Sequence, residues 1–147
     1  MERILVCTDG EEQTLKAEER AVELAERFGA TVTGLYVLSP FLKKFTHEIY
    51  AVNRNECRAH LDASLKREGE MALEALGKRC AARGVPYVPR MRHGEIADEI
   101  VSEAAEGGYD LLIMGAKLLK NWRERLESYK VPEDVFKRAP IPMMFVR

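Results

Sequence analysis

Tyr109-Asp-Leu-Leu-Ile-Met-Gly-Ala-Lys117 is the stretch from which the rest of the chain can be read. Four apolar residues in succession close on a glycine and then reach a cation. A short unbroken apolar run of this kind marks a strand buried on both faces, as in the interior of a parallel sheet. Whatever follows Gly115 therefore leaves the carboxyl end of a central strand. Ligands of open α/β sheets bind along that edge, where the strand order reverses. Function is expected to be written in residues 115–131.

Outward from this run the chain alternates strand and helix patterns. Arg3 to Thr8 is a β-type run ending in Thr8-Asp9-Gly10. The next segment places Ala17, Ala21, Leu24, Ala25 and Phe28 on one helical face, with Glu11 and Glu12 at its start and Gly29 just past its end. Thr31 to Val37 is rich in β-branched residues and predicts a second strand, broken by Ser39-Pro40. Residues 41–52 carry little pattern beyond a turn around Phe45 to Tyr50. Asn53 to Arg83 predicts one long helix with Cys57, Leu61, Leu65, Ala72, Leu76 and Cys80 on a single stripe, and with Gly69 placed to weaken or bend it. A third strand, Tyr87 to Met91, follows Gly84-Val-Pro86. After His93-Gly94 comes a helix with Ile96, Ile100, Val101 and Ala104 on its apolar side. A short helix around Pro132 to Lys137 and a last strand, Pro142 to Val146, complete the chain.

Alternation of this kind implies right-handed crossovers and an α/β fold, a single doubly wound domain over residues 1–147 with helices on both faces of a parallel sheet. A length of 147 residues with 46% hydrophobic content suits one core. With 23 basic against 24 acidic residues, the charge balance gives no electrostatic case for nucleic acid or a membrane surface as partner. No apolar run approaches a bilayer span, and the amino terminus passes straight into a strand, so a cytoplasmic protein is expected. Cys7, Cys57 and Cys80 are odd in number and widely spaced, which suits a reducing compartment.

Six segments, in order, carry a resemblance to a known family: Arg3-Ile-Leu-Val-Cys-Thr-Asp-Gly10, Gly29-Ala-Thr-Val-Thr-Gly-Leu-Tyr-Val37, Gly84-Val-Pro86, His93-Gly-Glu-Ile-Ala-Asp-Glu-Ile100, Asp110-Leu-Leu-Ile-Met-Gly115 and Ala139-Pro-Ile-Pro-Met-Met-Phe-Val-Arg147. Over essentially its full length the chain resembles a universal stress protein domain. The resemblance implies a five-stranded sheet in the order 3-2-1-4-5, a role in stress survival, and a homodimer through the last strand, residues 142–146. An apolar edge strand there would itself invite pairing. The resemblance also implies, in many relatives, ATP held by a loop of the form G-x-x-G, nine residues, G-[ST]. Its glycines let backbone amides approach the phosphates.

The chain departs from that loop. Gly115 holds the first position, but Leu118 holds the second, and Ser128-Tyr129 or, aligned backward from Ala139-Pro140, Tyr129-Lys130 stands where G-[ST] belongs. At the next helix Lys130-Val-Pro-Glu133 offers an acid that would repel a phosphate. Leu118, Trp122 and Leu126 recur every four residues among Lys117, Lys120, Arg123 and Arg125, closer to a basic amphipathic helix than to a phosphate cradle.

The residues that would form a nucleotide site are Thr8, Asp9, Val37, Met114, Gly115 and Lys117. Each has a plainer reading. Asp9 can cap or turn the start of the first helix. Val37 and Met114 suit ordinary core, and Gly115 a close backbone approach. Lys117 and its neighbouring cations suit a solvated helix face. Cys57 and His60 have C-x-x-H spacing without a second pair, so no metal is expected. His93 falls at the end of the third strand, towards the crevice. No nucleophile–base arrangement is recognisable, so no catalytic residue is nominated.

Two expectations follow. The first is a non-catalytic stress-response protein with a degenerate nucleotide loop and no cofactor, acting through dimerisation and protein contacts. The alternative is a switch that binds ATP or AMP through a modified basic loop. A hydrolase is a weaker third.

Overall fold

The computed structural model describes residues 1–39, 54–116 and 130–147. The side chains of residues 54–62 and of Lys130 lie outside that description. So do the expected turn around Phe45 to Tyr50, the basic segment containing Lys117, and the side-chain pair Cys57 and His60. Along the chain the elements are β1 (Arg3–Cys7), α1 (Glu12–Phe28), β2 (Thr31–Leu38), α2 (Arg54–Ala82), β3 (Tyr87–His93), α3 (Ile96–Glu106), β4 (Leu111–Gly115), α4 (Lys130–Arg138) and β5 (Met143–Val146).

The Asp110-to-Gly115 run forms β4, with Leu112 and Ile113 fully buried. It pairs in parallel with β1, Leu5 opposite Leu112, and on its other side with β5. The five strands run in the order β3-β2-β1-β4-β5, all parallel, as expected from the alternation and the resemblance. Because successive side chains point to opposite faces, β1 and β4 feed two cores. Ile4, Val6, Leu111 and Ile113 pack with Ala17, Ala21 and Ala25 of α1 and Leu76 and Cys80 of α2. Leu5, Leu112 and Met114 pack with Ala97, Ile100 and Ala104 of α3 and Val135 of α4.

One expectation about the helices is corrected. Phe28, placed by spacing on the apolar face of α1, is 59% exposed, whereas Glu18 and Val22 are buried. The cause is α2, which shares this side of the sheet and extends the buried face of α1 to the flank carrying residues 18 and 22. Gly69 lies within α2, which runs unbroken through it. A Cβ there would stand 2.7 Å from the Tyr36 ring and 2.8 Å from Met91, so its bareness lets α2 lie close against β2 and β3. Gly34 and Gly77 likewise leave room for Tyr87, whose hydroxyl donates to the Leu73 carbonyl at 2.7 Å.

Two carboxylates brace the framework. Asp110 Oδ2 accepts the amides of Glu2 and Arg3 at 2.7 and 2.9 Å, fixing the start of β1 beside β4. Those amides hold its carboxyl below the usual range. Glu103 of α3, 2% exposed, accepts the Tyr109 hydroxyl at 2.7 Å, Arg90 Nε at 3.1 Å and an Arg92 nitrogen at 2.8 Å. Burial alone would raise its carboxyl pKa, but the bonds from Arg92, Tyr109 and Arg90 outweigh it and hold the group below its ordinary value. Among the described residues no helix is long and apolar enough to cross a membrane.

Glu103→Leu should lower the unfolding free energy by about 1–3 kcal/mol, less than for a fully buried pair because the arginines reach solvent. A carboxyl with a depressed folded pKa stabilises the fold above its unfolded value, roughly pH 4.3, and loses that contribution as the pH falls through the folded value. Urea unfolding from pH 7 to pH 3 should therefore show the gap between wild type and variant closing on the acid side.

Candidate functional site

At the carboxyl ends of β1, β2 and β4 lies a cleft of about 280 Å³, bounded above by the starts of α1, α3 and α4. Its position follows from the topology: the chain builds β1, β2 and β3 on one side, then crosses to β4 and β5 on the other, and the crevice opens where those directions diverge. Thr8, Asp9, Val37, Met114 and Gly115, five of the six residues singled out from the sequence, line it. The sixth, Lys117, is outside the described residues. His93 is not among the lining residues, since β3 is the edge strand and its end falls short of the crevice.

Gly115 has a structural reason to be glycine. A Cβ there would lie 2.9 Å from the Gln13 carbonyl oxygen and 3.2 Å from its carbon, so the first turn of α1 sits directly on the end of β4. That seating brings Gln13 and Thr14 to the cleft wall, two residues the sequence did not single out. The available signal was their place four and five residues after Asp9, at a helix start that faces a strand end.

Asp9 both turns the chain and faces the opening. Its Oδ1 accepts the Glu11 amide at 2.8 Å and lies 3.0 Å from the Thr14 hydroxyl, which is also 2.8 Å from the Glu11 carbonyl. The turn begins α1 without a side-chain cap from Glu11. Thr8 is held harder. Its hydroxyl donates to the buried carboxylate of Glu18 and accepts the Gly10 amide at 3.2 Å, while its own amide donates to the Leu35 carbonyl at 3.0 Å. Glu18 in turn pairs with Arg79 of α2. The hydroxyl proton of Thr8 is thus committed to the framework.

The other walls are apolar: Leu35 and Val37 from β2, Ile96 and Ile100 from α3, Met114 from β4, and Val131 with Pro132 from α4. Cys7 lies at the cleft, its thiol pushed up to about 12 by burial and by the Asp9 carboxylate. Such a thiol remains protonated at neutral pH and is a poor nucleophile. Tyr36 is also raised, by burial first and then by Glu68, Asp9 and Glu11. Among the described residues no cluster of histidine, cysteine or carboxylate side chains is placed to hold a metal ion. The arrangement can enclose a flat apolar group and offer it acceptors from one side.

Residues 1–147 match the family model described as the universal stress protein family. The chain is similar to universal stress protein MJ0531 of Methanocaldococcus jannaschii, 33% identical over 147 residues that cover 99% of this chain and 81% of that protein. It is similar in fold to a protein of the same family from Burkholderia pseudomallei, with a TM-score of 0.76, 24% identity, and coverage of 98% and 94% of the two chains. A universal stress protein family protein from Arabidopsis thaliana, solved with AMP bound, matches with a TM-score of 0.67, 18% identity, and coverage of 99% and 91%.

Gly115→Ala should cost about 1–3 kcal/mol in chemical unfolding, as overpacking against fixed backbone does. A variant as stable as wild type would mean that α1 can lift off β4 without loss.

Proposed function

Given that the chain belongs to the universal stress protein family, we propose that it is a non-catalytic stress-response protein that works as a homodimer and whose crevice receives an adenine compound without gripping a triphosphate. The observation that carries this reading is a split within one site. The strand-end residues Thr8, Asp9, Val37, Met114 and Gly115 converge on a cleft, yet Leu118 and Ser128-Tyr129 occupy the positions where the phosphate loop needs glycines. A glycine cradle works because bare backbone lets amides close on the phosphate oxygens. At the second position the sequence has leucine, a residue with a side chain where that motif has none.

Support for the adenine part comes from the fit of the apolar walls to a flat ring and from the Arabidopsis thaliana structure, which carries AMP on the same fold. Support for the lack of chemistry comes from the site itself. The Cys7 thiol is pushed out of the nucleophilic range, and the Thr8 hydroxyl gives its proton to Glu18.

Self-association would use the free side of β5. The amides of Leu112 and Ala116 donate to the carbonyls of Pro142 and Val146, so the alternate residues Met143 and Phe145 turn their backbone groups away from β4. Phe145 there is 38% exposed and Phe136 of α4 is 65% exposed, with ring centroids 6.4 Å apart. Among the described residues β5 is an edge strand, and an edge bearing exposed aromatic rings is a ready template for a second strand.

Phe145→Pro removes an outward amide without touching the bonds to β4, and it should shift the protein from dimer to monomer in sedimentation velocity; a variant that stays dimeric counts against this edge. Purified protein should turn over ATP at no more than the background rate, and turnover well above it would revive a hydrolase.

A further inference from the structure

Pairing of two copies through one edge of a sheet leaves the opposite edge to decide whether assembly goes on. Among the described residues β3 and β5 close the two sides of the strand order, so a pair joined β5 to β5 carries a β3 at each end. If those ends accepted a further strand, pairs would add to pairs and the sheet would extend without closing. The chemistry of β3 therefore fixes the size of the assembly.

The backbone groups of β3 alternate between its neighbour and its outer side. The Val32 amide donates to the Pro86 carbonyl and the Gly94 amide to the Leu38 carbonyl, and the register with β2 runs without a break from Tyr87 to His93. Even-numbered residues thus turn their backbone groups to β2, while Tyr87, Pro89, Met91 and His93 turn theirs away. Pro89 stands inside this outward row with no amide proton, and its ring fills the place from which one would point at a partner. Val88, Pro89 and Arg90 are exposed, so the gap lies on the surface. The outward row of β5, Met143 and Phe145, has no such gap. Bracing for β3 comes instead from α3, where Glu103 takes Arg90 Nε at 3.1 Å and Glu99 takes Arg92 Nε at 2.7 Å. We infer that Pro89 closes the β3 edge to strand addition, so that association through β5 ends at two copies. The inference rests on the β5 reading of self-association.

Sedimentation velocity of the full chain tests the two edges separately. Wild type should keep one size as its concentration rises. Pro89→Thr restores the missing amide with a polar side chain suited to a strand. Species larger than the wild-type pair should then appear, at concentrations about tenfold or more below any at which wild type forms them, because each copy regains an outward bond. They should dissociate on dilution, as pairing of folded edges does; irreversible aggregation alone counts against the inference. Added to Phe145→Pro, which removes the β5 route, Pro89→Thr should return the monomer to a pair. If Pro89→Thr changes the size in neither background, or if wild type itself grows beyond a pair, the closed edge is overturned. A Phe145→Pro protein that stays dimeric overturns the β5 reading instead, and the β3 edge then stands or falls on the Pro89→Thr single variant.

Discussion

Backbone against backbone, with no side chain between, is how the first turn of α1 meets the end of β4 at Gly115. This contact decides where everything at the crevice can stand. A helix that begins directly on a neighbouring strand's end must turn sharply out of its own strand, and Asp9 makes that turn by accepting the Glu11 amide. The same seating places Gln13 and Thr14 over the opening and leaves Val37 and Met114 as its walls. The shape of the site is a by-product of how tightly one crossover is closed.

Charge inside the framework serves the same end. Glu18 and Glu103 are each 2% exposed on helices whose other acids face solvent, and each is held by arginine from a different element. Glu18 ties α1 to α2 and to the last residue before Asp9. Glu103 ties α3 to the edge strand β3 and to Tyr109 at the entry of β4. Buried pairs of this kind add little net stability over an apolar packing, but breaking one leaves a charge without a partner. Each therefore fixes the relative placement of elements that apolar contacts alone would leave freer to slide.

The strands and their burial on both faces were legible because apolar runs and their stops are local facts, whereas the strand order followed from the family resemblance. Leu111 to Met114 can be buried on both faces only inside a sheet, and the residue where such a run ends is a strand end wherever it packs. Asp9 and Gly115 were placed by that rule, and Val37 and Met114 by analogy with the family. Gln13, Thr14 and Tyr36 were not, since their approach to the cleft depends on the seating of α1 and on the bare Gly69 that admits the Tyr36 ring. Ile96 and Ile100 read as ordinary core because they are core on one flank and wall on the other. The buried acids were illegible for a different reason. A glutamate on a helix is expected at the surface, and Arg79 lies 61 residues from Glu18. Phe28 misled in the opposite direction, because helical spacing says which way a side chain points and not whether the neighbouring layer extends that far.

The thiol at the end of β1 carries a last consequence. Peroxides and disulfides react with the thiolate, and burial with the Asp9 carboxylate nearby disfavours that form of Cys7. A thiol disfavoured from ionising in this way reacts more slowly with oxidants than an exposed, acidic cysteine would. The wall that β1 gives to the cleft is thereby less open to sulfenic acid formation than a cysteine on the surface would be.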